Sequence, residues 1–498
     1  MDSQNQNSNS RGLSTAIARR INELFCIVLT LLLVACGGSG TGTSNNTTSA
    51  SGTVGGSPTN TTYVDLTQAK LLSDSELQTP AFAGLPLPST EEMTWLQANH
   101  KKIRSLTYDK DFSDLAFLDR LLAGKRIVQL GESSHGTREF SQAKVRLIKY
   151  LHENLGYNVL AFEASTIGCY LQEQEFAKTQ GIATLGNCIF SVWDTKEVQE
   201  LFDYIARTHQ TKQPLQLAGF DMQFSSAFDR PEIVGPWLQQ TLTLSGDSSF
   251  TNVEKLIEDS IRLALDGESC YNDKQSTKCK NFLAHYQEQI DQLSQLNARF
   301  KPYAMNADSQ LRPTMMMAWL SIDNLIKRIT VTLSFSNNFQ FTEPRDIGMA
   351  ESITTLATSV FPDEKIIIWA HNSHIGRGAS GYPNSGKPMG SFLDTQWQQQ
   401  IYSIGLFMLR GTTAGNDRSV MKVMAPIDGS LEAYSASLRL AAFFLPIARE
   451  NQVGNGDDWL YRPTYAYIWG NYLTHDALNA QFDAVLMIDY SKMPEYLH

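Results

Sequence analysis

Between residues 125 and 163 the chain reads as strand, turn, helix and strand, and this stretch restricts the fold more than any other. Residues 125–130 form a short apolar strand, followed by the polar turn 131–137. Phe140, Ala143, Leu147, Ile148, Leu151 and Leu155 then recur at three- and four-residue spacing, which marks one face of a helix. Gly156 is placed to stop that helix, and residues 159–162 make a second strand that ends at Glu163. Two strands joined by one helix over so short a distance form a βαβ unit and are parallel.

The same signature recurs along the chain. Residues 215–218 lead into Asp221, residues 365–369 lead into His371 and His374, and residues 402–407 and 484–488 are further strands. Short apolar runs bounded by polar turns suit a parallel sheet covered on both faces. Segments around 253–265, 282–296 and 315–329 have helical period. The expected fold is α/β, a mainly parallel sheet flanked by helices, with a helical cap inserted at about 229–342. Residues 63–120 read as a mostly helical lead-in.

The N-terminus carries an address. Arg11, Arg19 and Arg20 precede an apolar run from Leu24 to Val34. That run is shorter than the ~20 residues that cross a bilayer as a helix, and it fits the core of a secretory signal. It ends Leu33-Val34-Ala35-Cys36, which resembles a bacterial lipobox; residues 1–35 are then a signal peptide and Cys36 the lipidated residue. Residues 36–62 are rich in Gly, Ser, Thr and Asn and form a flexible tether. Its ends would sit roughly 25–30 Å apart. Gly37 after the lipid cysteine points to the outer membrane, if the host has one. The folded domain occupies 63–498.

Composition removes other classes. Hydrophobic residues at 42% and charged residues at 18% exclude a wholly disordered chain. With 41 basic against 51 acidic residues the net charge is −10, which argues against a nucleic-acid partner. An exported chain meets oxidising conditions, so Cys169 with Cys188 and Cys270 with Cys279 are the expected disulfides.

Chemistry collects at the strand ends, where open parallel sheets bind ligands. Glu132 and His135 follow the first strand, Glu163 the second, Asp221 the third, and His371 and His374 the fourth. Of nine histidines, these share two such loops. Such a convergence suggests an acid–histidine site at one edge of the sheet. No G-x-S-x-G elbow is present, and His152-Glu153 lacks a second histidine at the zincin spacing.

The motif Gly131-Glu132-Ser133-Ser134-His135-Gly136-Thr137-Arg138-Glu139-Phe140 resembles the signature of the erythromycin esterases. So do Phe162-Glu163, Arg345-Asp346-Ile347-Gly348-Met349-Ala350-Glu351 and Trp369-Ala370-His371-Asn372-Ser373-His374, with Met389-Gly390 as a weaker element. The likeness runs from about residue 110 to about residue 490. It implies hydrolysis of a macrolide lactone without a serine nucleophile, cofactor or metal. His135 is then the base that activates water, and Glu132, Glu163, His371 and His374 build the rest of the site. Lys144, Arg138 and Asp221 are the expected substrate-binding residues. Lys144 stands where macrolide-cleaving members can carry arginine; lysine keeps the charge without the bidentate fork. Ser352 stands where asparagine is common. Two alternatives stay open: a zinc or manganese hydrolase built on Glu132-x-x-His135 and His371-x-x-His374, and a non-catalytic envelope binding lipoprotein.

The lipobox generates a direct test. Cys36→Ser should move the protein from the membrane fraction to the soluble one; if both forms fractionate as soluble, the anchor reading is wrong.

Overall fold

The computed structural model describes residues 88–178, 185–336, 343–378, 386–450, 456–468 and 470–498. The expected signal peptide, Cys36 and the tether lie outside the described residues. Among those described, no helix is long and apolar enough to cross a membrane.

The strands are β1 (Lys101–Lys102), β2 (Ile127–Leu130), β3 (Tyr157–Ser165), β4 (Gln216–Asp221), β5 (Lys365–Trp369), β6 (Ile401–Ala414), β7 (Val420–Lys422), β8 (Ala442–Pro446), β9 (Pro463–Ile468), β10 (Tyr472–Ala477) and β11 (Ala484–Ser491). The main sheet has the order β1-β8-β11-β6-β2-β5-β3-β4, with β7 pairing the far end of β6. From β11 to β4 every neighbouring pair is parallel. The expected strands all lie in this parallel part. The antiparallel edge of β1 and β8, and the β9–β10 hairpin, were not expected.

Residues alternate between the two faces of this sheet, and both faces are buried. Ile366 and Ile368 pack on one side with Val159, Ala161 and Phe220. Ile367 and Trp369 pack on the other with Leu160, Phe162 and Leu130. Burial on both sides is why these strands read as near-continuous apolar runs.

The helices that bear on the site are α1 (Arg138–Leu155), α2 (Thr166–Lys178), α3 (Lys196–Thr208), α4 (Pro231–Thr243), α5 (Glu254–Asn272), α6 (Thr277–Asn306), α7 (Arg312–Ser336), α8 (Glu343–Thr355), α9 (Asn372–Ile375) and α10 (Met389–Trp397). Helix α1 ends at Gly156, whose φ of 69° is the left-handed conformation that a glycine cap supplies without strain. Helices α4 to α8 all fall between β4 and β5. Of the expected lead-in, residues 88–120 are described; they hold a helix at Thr90–Asn99, the edge strand β1, a 3-10 turn and the start of a short helix at Leu118–Leu121. Part of its irregular chain is held by Arg146, which reaches from α1 to Asp114 at 2.5 Å and to the carbonyl of Ser105 at 2.8 Å.

Both expected disulfides are formed. Cys169 on α2 joins Cys188 in the loop before α3, and Cys270 near the end of α5 joins Cys279 in the first turn of α6. Peptide mapping without reduction should recover both linked pairs. Cys169→Ser should lower unfolding free energy by about 3 kcal/mol in a denaturant titration, the usual effect of losing a native disulfide.

Candidate active site

Strand register brings the candidate residues to one level. Leu130 of β2 and Phe162 of β3 both stand opposite Trp369 of β5. The residues that follow, Glu132, Glu163 and His371, therefore emerge together. The loops can close because residue 131 is glycine: a Cβ there would lie 2.1 Å from Asn372 Oδ1. Asn372 ties the strand ends, donating its backbone N–H to the carbonyl of Glu132 at 2.8 Å and its side-chain N–H to that of Leu406 at 2.9 Å.

Glu132 is fully buried. Its Oε1 accepts from His135 Nδ1 at 2.7 Å and from Trp193 Nε1 at 2.9 Å, and its Oε2 accepts from Lys144 Nζ at 2.8 Å. Burial pushes this carboxyl up, but Lys144 and His135 together outweigh it and hold Glu132 below the usual carboxylate range. For Lys144 burial is the stronger influence and brings the ammonium down to about 8, with Glu132 opposing it. The two are an ion pair at neutral pH. Lys144 also lies 4.4 Å from the centre of the Trp369 ring and donates to the carbonyl of Ala370.

A second network lies on the β3–β4 side. Glu163 Oε1 accepts from Arg345 at 2.9 Å and lies 3.2 Å from His374 Nε2. Glu163 Oε2 accepts the backbone N–H of His371 at 2.9 Å. Arg345 also grips Asp221 through Nε at 3.1 Å and a terminal nitrogen at 2.5 Å. His374 Nδ1 donates to Asp346 at 2.8 Å, and the same Asp346 oxygen accepts from the backbone of Met389. Burial alone would discharge His374; Asp346 and Glu163 overcome it and raise the imidazole to about 10. Burial raises Glu163 as well, yet His374 and Arg345 bring it well below the carboxylate range. His371 is the opposite case. Burial, and then the neighbouring His135, push it well below its ordinary value, so it is neutral. The His135 and His371 ring centres are 5.0 Å apart.

Of the residues singled out in the sequence, Glu132, His135, Lys144, Glu163, Asp221, His371 and His374 lie in these two adjoining networks. Arg138 does not: its guanidinium turns to Glu197 and Glu495, at 3.3 and 3.2 Å. Its backbone N–H donates to the carbonyl of Lys492 at 2.9 Å, so the start of α1 is packed on the C-terminal segment. Lys144 and Asp221 are buried behind Glu132 and Arg345, so each would bear on a substrate only through its partner. Trp193, Arg345 and Asp346 were not among the expected site residues. Arg345 and Asp346 had a visible signal in their motif; Trp193 had none. Among the described residues, no group of His, Cys, Asp and Glu side chains is arranged to hold a metal ion.

A sequence profile of the erythromycin esterase family matches residues 152–491. A putative hydrolase, YbfO, of Bacillus subtilis is 32% identical over 404 residues, covering 76% of this chain and 86% of its own. The type I erythromycin esterase of Escherichia coli is 25% identical over 297 residues, 57% of this chain and 70% of that one. Among solved structures, a Bacillus cereus protein superposes with a TM-score of 0.68 at 18% identity, covering 83% of this chain and all (100%) of that one. A mutant of the erythromycin esterase EreC in its open conformation gives 0.58 at 20% identity, over 80% of this chain and 99% of that one. These structural likenesses establish a shared fold.

The charge on His374 has a sign that can be measured. Folded, it keeps its proton to about 10; unfolded, it releases it near 6.5. Its contribution to stability is therefore complete below about pH 6.5 and is lost as pH rises toward 10. Lys144 acts in the opposite direction above about pH 8, since its folded value lies below 10.5, so the wild type alone would blur the effect. The difference between wild type and Asp346→Asn isolates His374. It should be on the order of 3 kcal/mol near pH 6.5 and shrink toward pH 10 in denaturant titrations. A difference that does not vary with pH would mean that His374 is neutral.

Proposed function

The chain belongs to the erythromycin esterase family and is a hydrolase; from that premise we propose that it hydrolyses carboxylic esters, bulky cyclic ones such as macrolide lactones first, using water activated by His135. The observation that carries this reading is the 2.7 Å hydrogen bond between His135 Nδ1 and the buried, ionised Glu132. That bond supports a proton on Nδ1, which would leave Nε2 to act as the base.

In this mechanism Nε2 takes a proton from water as its oxygen attacks the ester carbonyl, and Glu132 stabilises the imidazolium that forms. The tetrahedral intermediate carries a negative charge on the former carbonyl oxygen. Arg345 and the protonated His374 are the candidate hydrogen-bond donors to it. The intermediate collapses by breaking the carbon–oxygen bond of the alcohol, and His135 returns its proton to the leaving alkoxide. A free acid and a free hydroxyl result, on one molecule if the ester was a lactone. Lys144 keeps Glu132 charged through this cycle. We place the enzyme at the bacterial envelope, tethered through Cys36.

Incubation of the purified protein with erythromycin should add the mass of one water to the drug. His135→Ala should reduce turnover by ~10²–10⁴-fold with the fold intact, and Glu163→Gln should also inactivate. Activity should survive exhaustive chelation. If macrolides persist while simple esters are cleaved, the esterase reading stands and the macrolide assignment falls. Near-normal hydrolysis by folded His135→Ala would remove His135 from the base role.

A further inference from the structure

Glu132 shares one carboxylate oxygen between two donors, and the second belongs to a residue outside the motif. Trp193 is 1% exposed and ends the 3-10 turn Ser191–Trp193. Its Nε1 lies 2.9 Å from Glu132 Oε1, the oxygen that also accepts from His135 Nδ1. Its ring meets the His135 ring edge-on, at 4.9 Å between centres and 81° between planes. The turn is fixed on both sides. Cys188 before it is bonded to Cys169 on α2. After it, the carbonyl of Asp194 accepts the backbone N–H of Leu497 at 3.0 Å, and Thr195 bridges Tyr496.

We propose that Trp193 is a positioning residue for the general base: its indole N–H, aimed at the oxygen that His135 uses, sets the basicity of that oxygen, while its ring fixes the plane of the imidazole. The physical argument is short. An oxygen that already accepts one buried hydrogen bond holds a second proton less strongly. The Trp193 N–H thus leaves the His135 proton on Nδ1 without letting Glu132 bind it so tightly that Nε2 stays charged. The other groups that face this pair are Lys144 from α1, His371 after β5 and Glu163 at the end of β3. The catalytic half of this inference rests on His135 being the base; the electrostatic half does not.

Two replacements separate the N–H from the ring. Trp193→Phe removes the donor and part of the ring. Benzothienylalanine incorporated at position 193 keeps the shape and puts sulfur where the N–H was. The readout is the ring-nitrogen resonance of His135 in histidine-labelled protein, followed against pH, which needs no substrate and works even if no ester is ever cleaved. Both replacements should raise the His135 midpoint by roughly half a unit to one unit, since Oε1 becomes the stronger acceptor. Where an ester substrate is in hand, the acidic limb of kcat/KM should move upward with it. Trp319→Phe, remote from the site, should move neither. An unchanged midpoint with the sulfur isostere would overturn the proposal, whatever Trp193→Phe does, because shape alone would then account for the residue. A shift with the isostere but no shift of the kcat/KM limb would leave Trp193 setting the pair and remove His135 from the base role.

Discussion

Carboxylates buried at the edge of a sheet set the terms for the rest of this molecule. Glu132, Glu163, Asp221 and Asp346 are each almost wholly out of water. A charge in that position is tolerable only with a close partner and saturated hydrogen bonds. Those partners come from different elements: Lys144 from the middle of α1, Arg345 from the start of α8, His374 from α9. The helices must therefore dock on the sheet in one way, because any other packing strands a charge. The same requirement leaves His371 neutral between two charged groups, and the contrast between His371 and His374, three residues apart, comes wholly from what each one faces.

Much of this was legible in the sequence, for identifiable reasons. Strands buried on both faces are continuous apolar runs, so β2 to β6 and β11 could be read from residues such as Ile366, Ile367 and Ile368 without pairing information. A polar residue straight after such a run has few structural reasons to be there, which is why Glu132, Glu163, Asp221 and His371 stood out. The edge strands were hidden for the converse reason. β1 is two residues long, and β7 is largely exposed, so neither leaves an apolar trace. Trp193 was hidden because a buried tryptophan in an apolar stretch looks like core; only its single N–H distinguishes it. The turn of Arg138 toward Glu197 and Glu495 was not legible, because position in a motif does not say which way a side chain points at the first residue of a helix.

Lysine at position 144 is understandable from this packing. An ammonium donates as a point charge, and here it faces one carboxylate oxygen, one carbonyl and the face of Trp369. A guanidinium would bring more N–H groups into the same dry space, and each would need an acceptor. The site as built uses Lys144 to hold Glu132 in place.

The order of the strands has a consequence for how the chain comes together in time. β5 lies between β2 and β3, yet it follows both of them in sequence, after the whole of α4 to α8. While the chain is being made, β2 and β3 have no partner between them, and each shows an open edge to its surroundings. β2 gains its sheet neighbours only when residues 365–369 and then 401–414 have followed, and the first of these segments carries His371 and His374 just behind it. The centre of the sheet and the site at its edge thus rest on pairings far apart in sequence, the kind that form slowly.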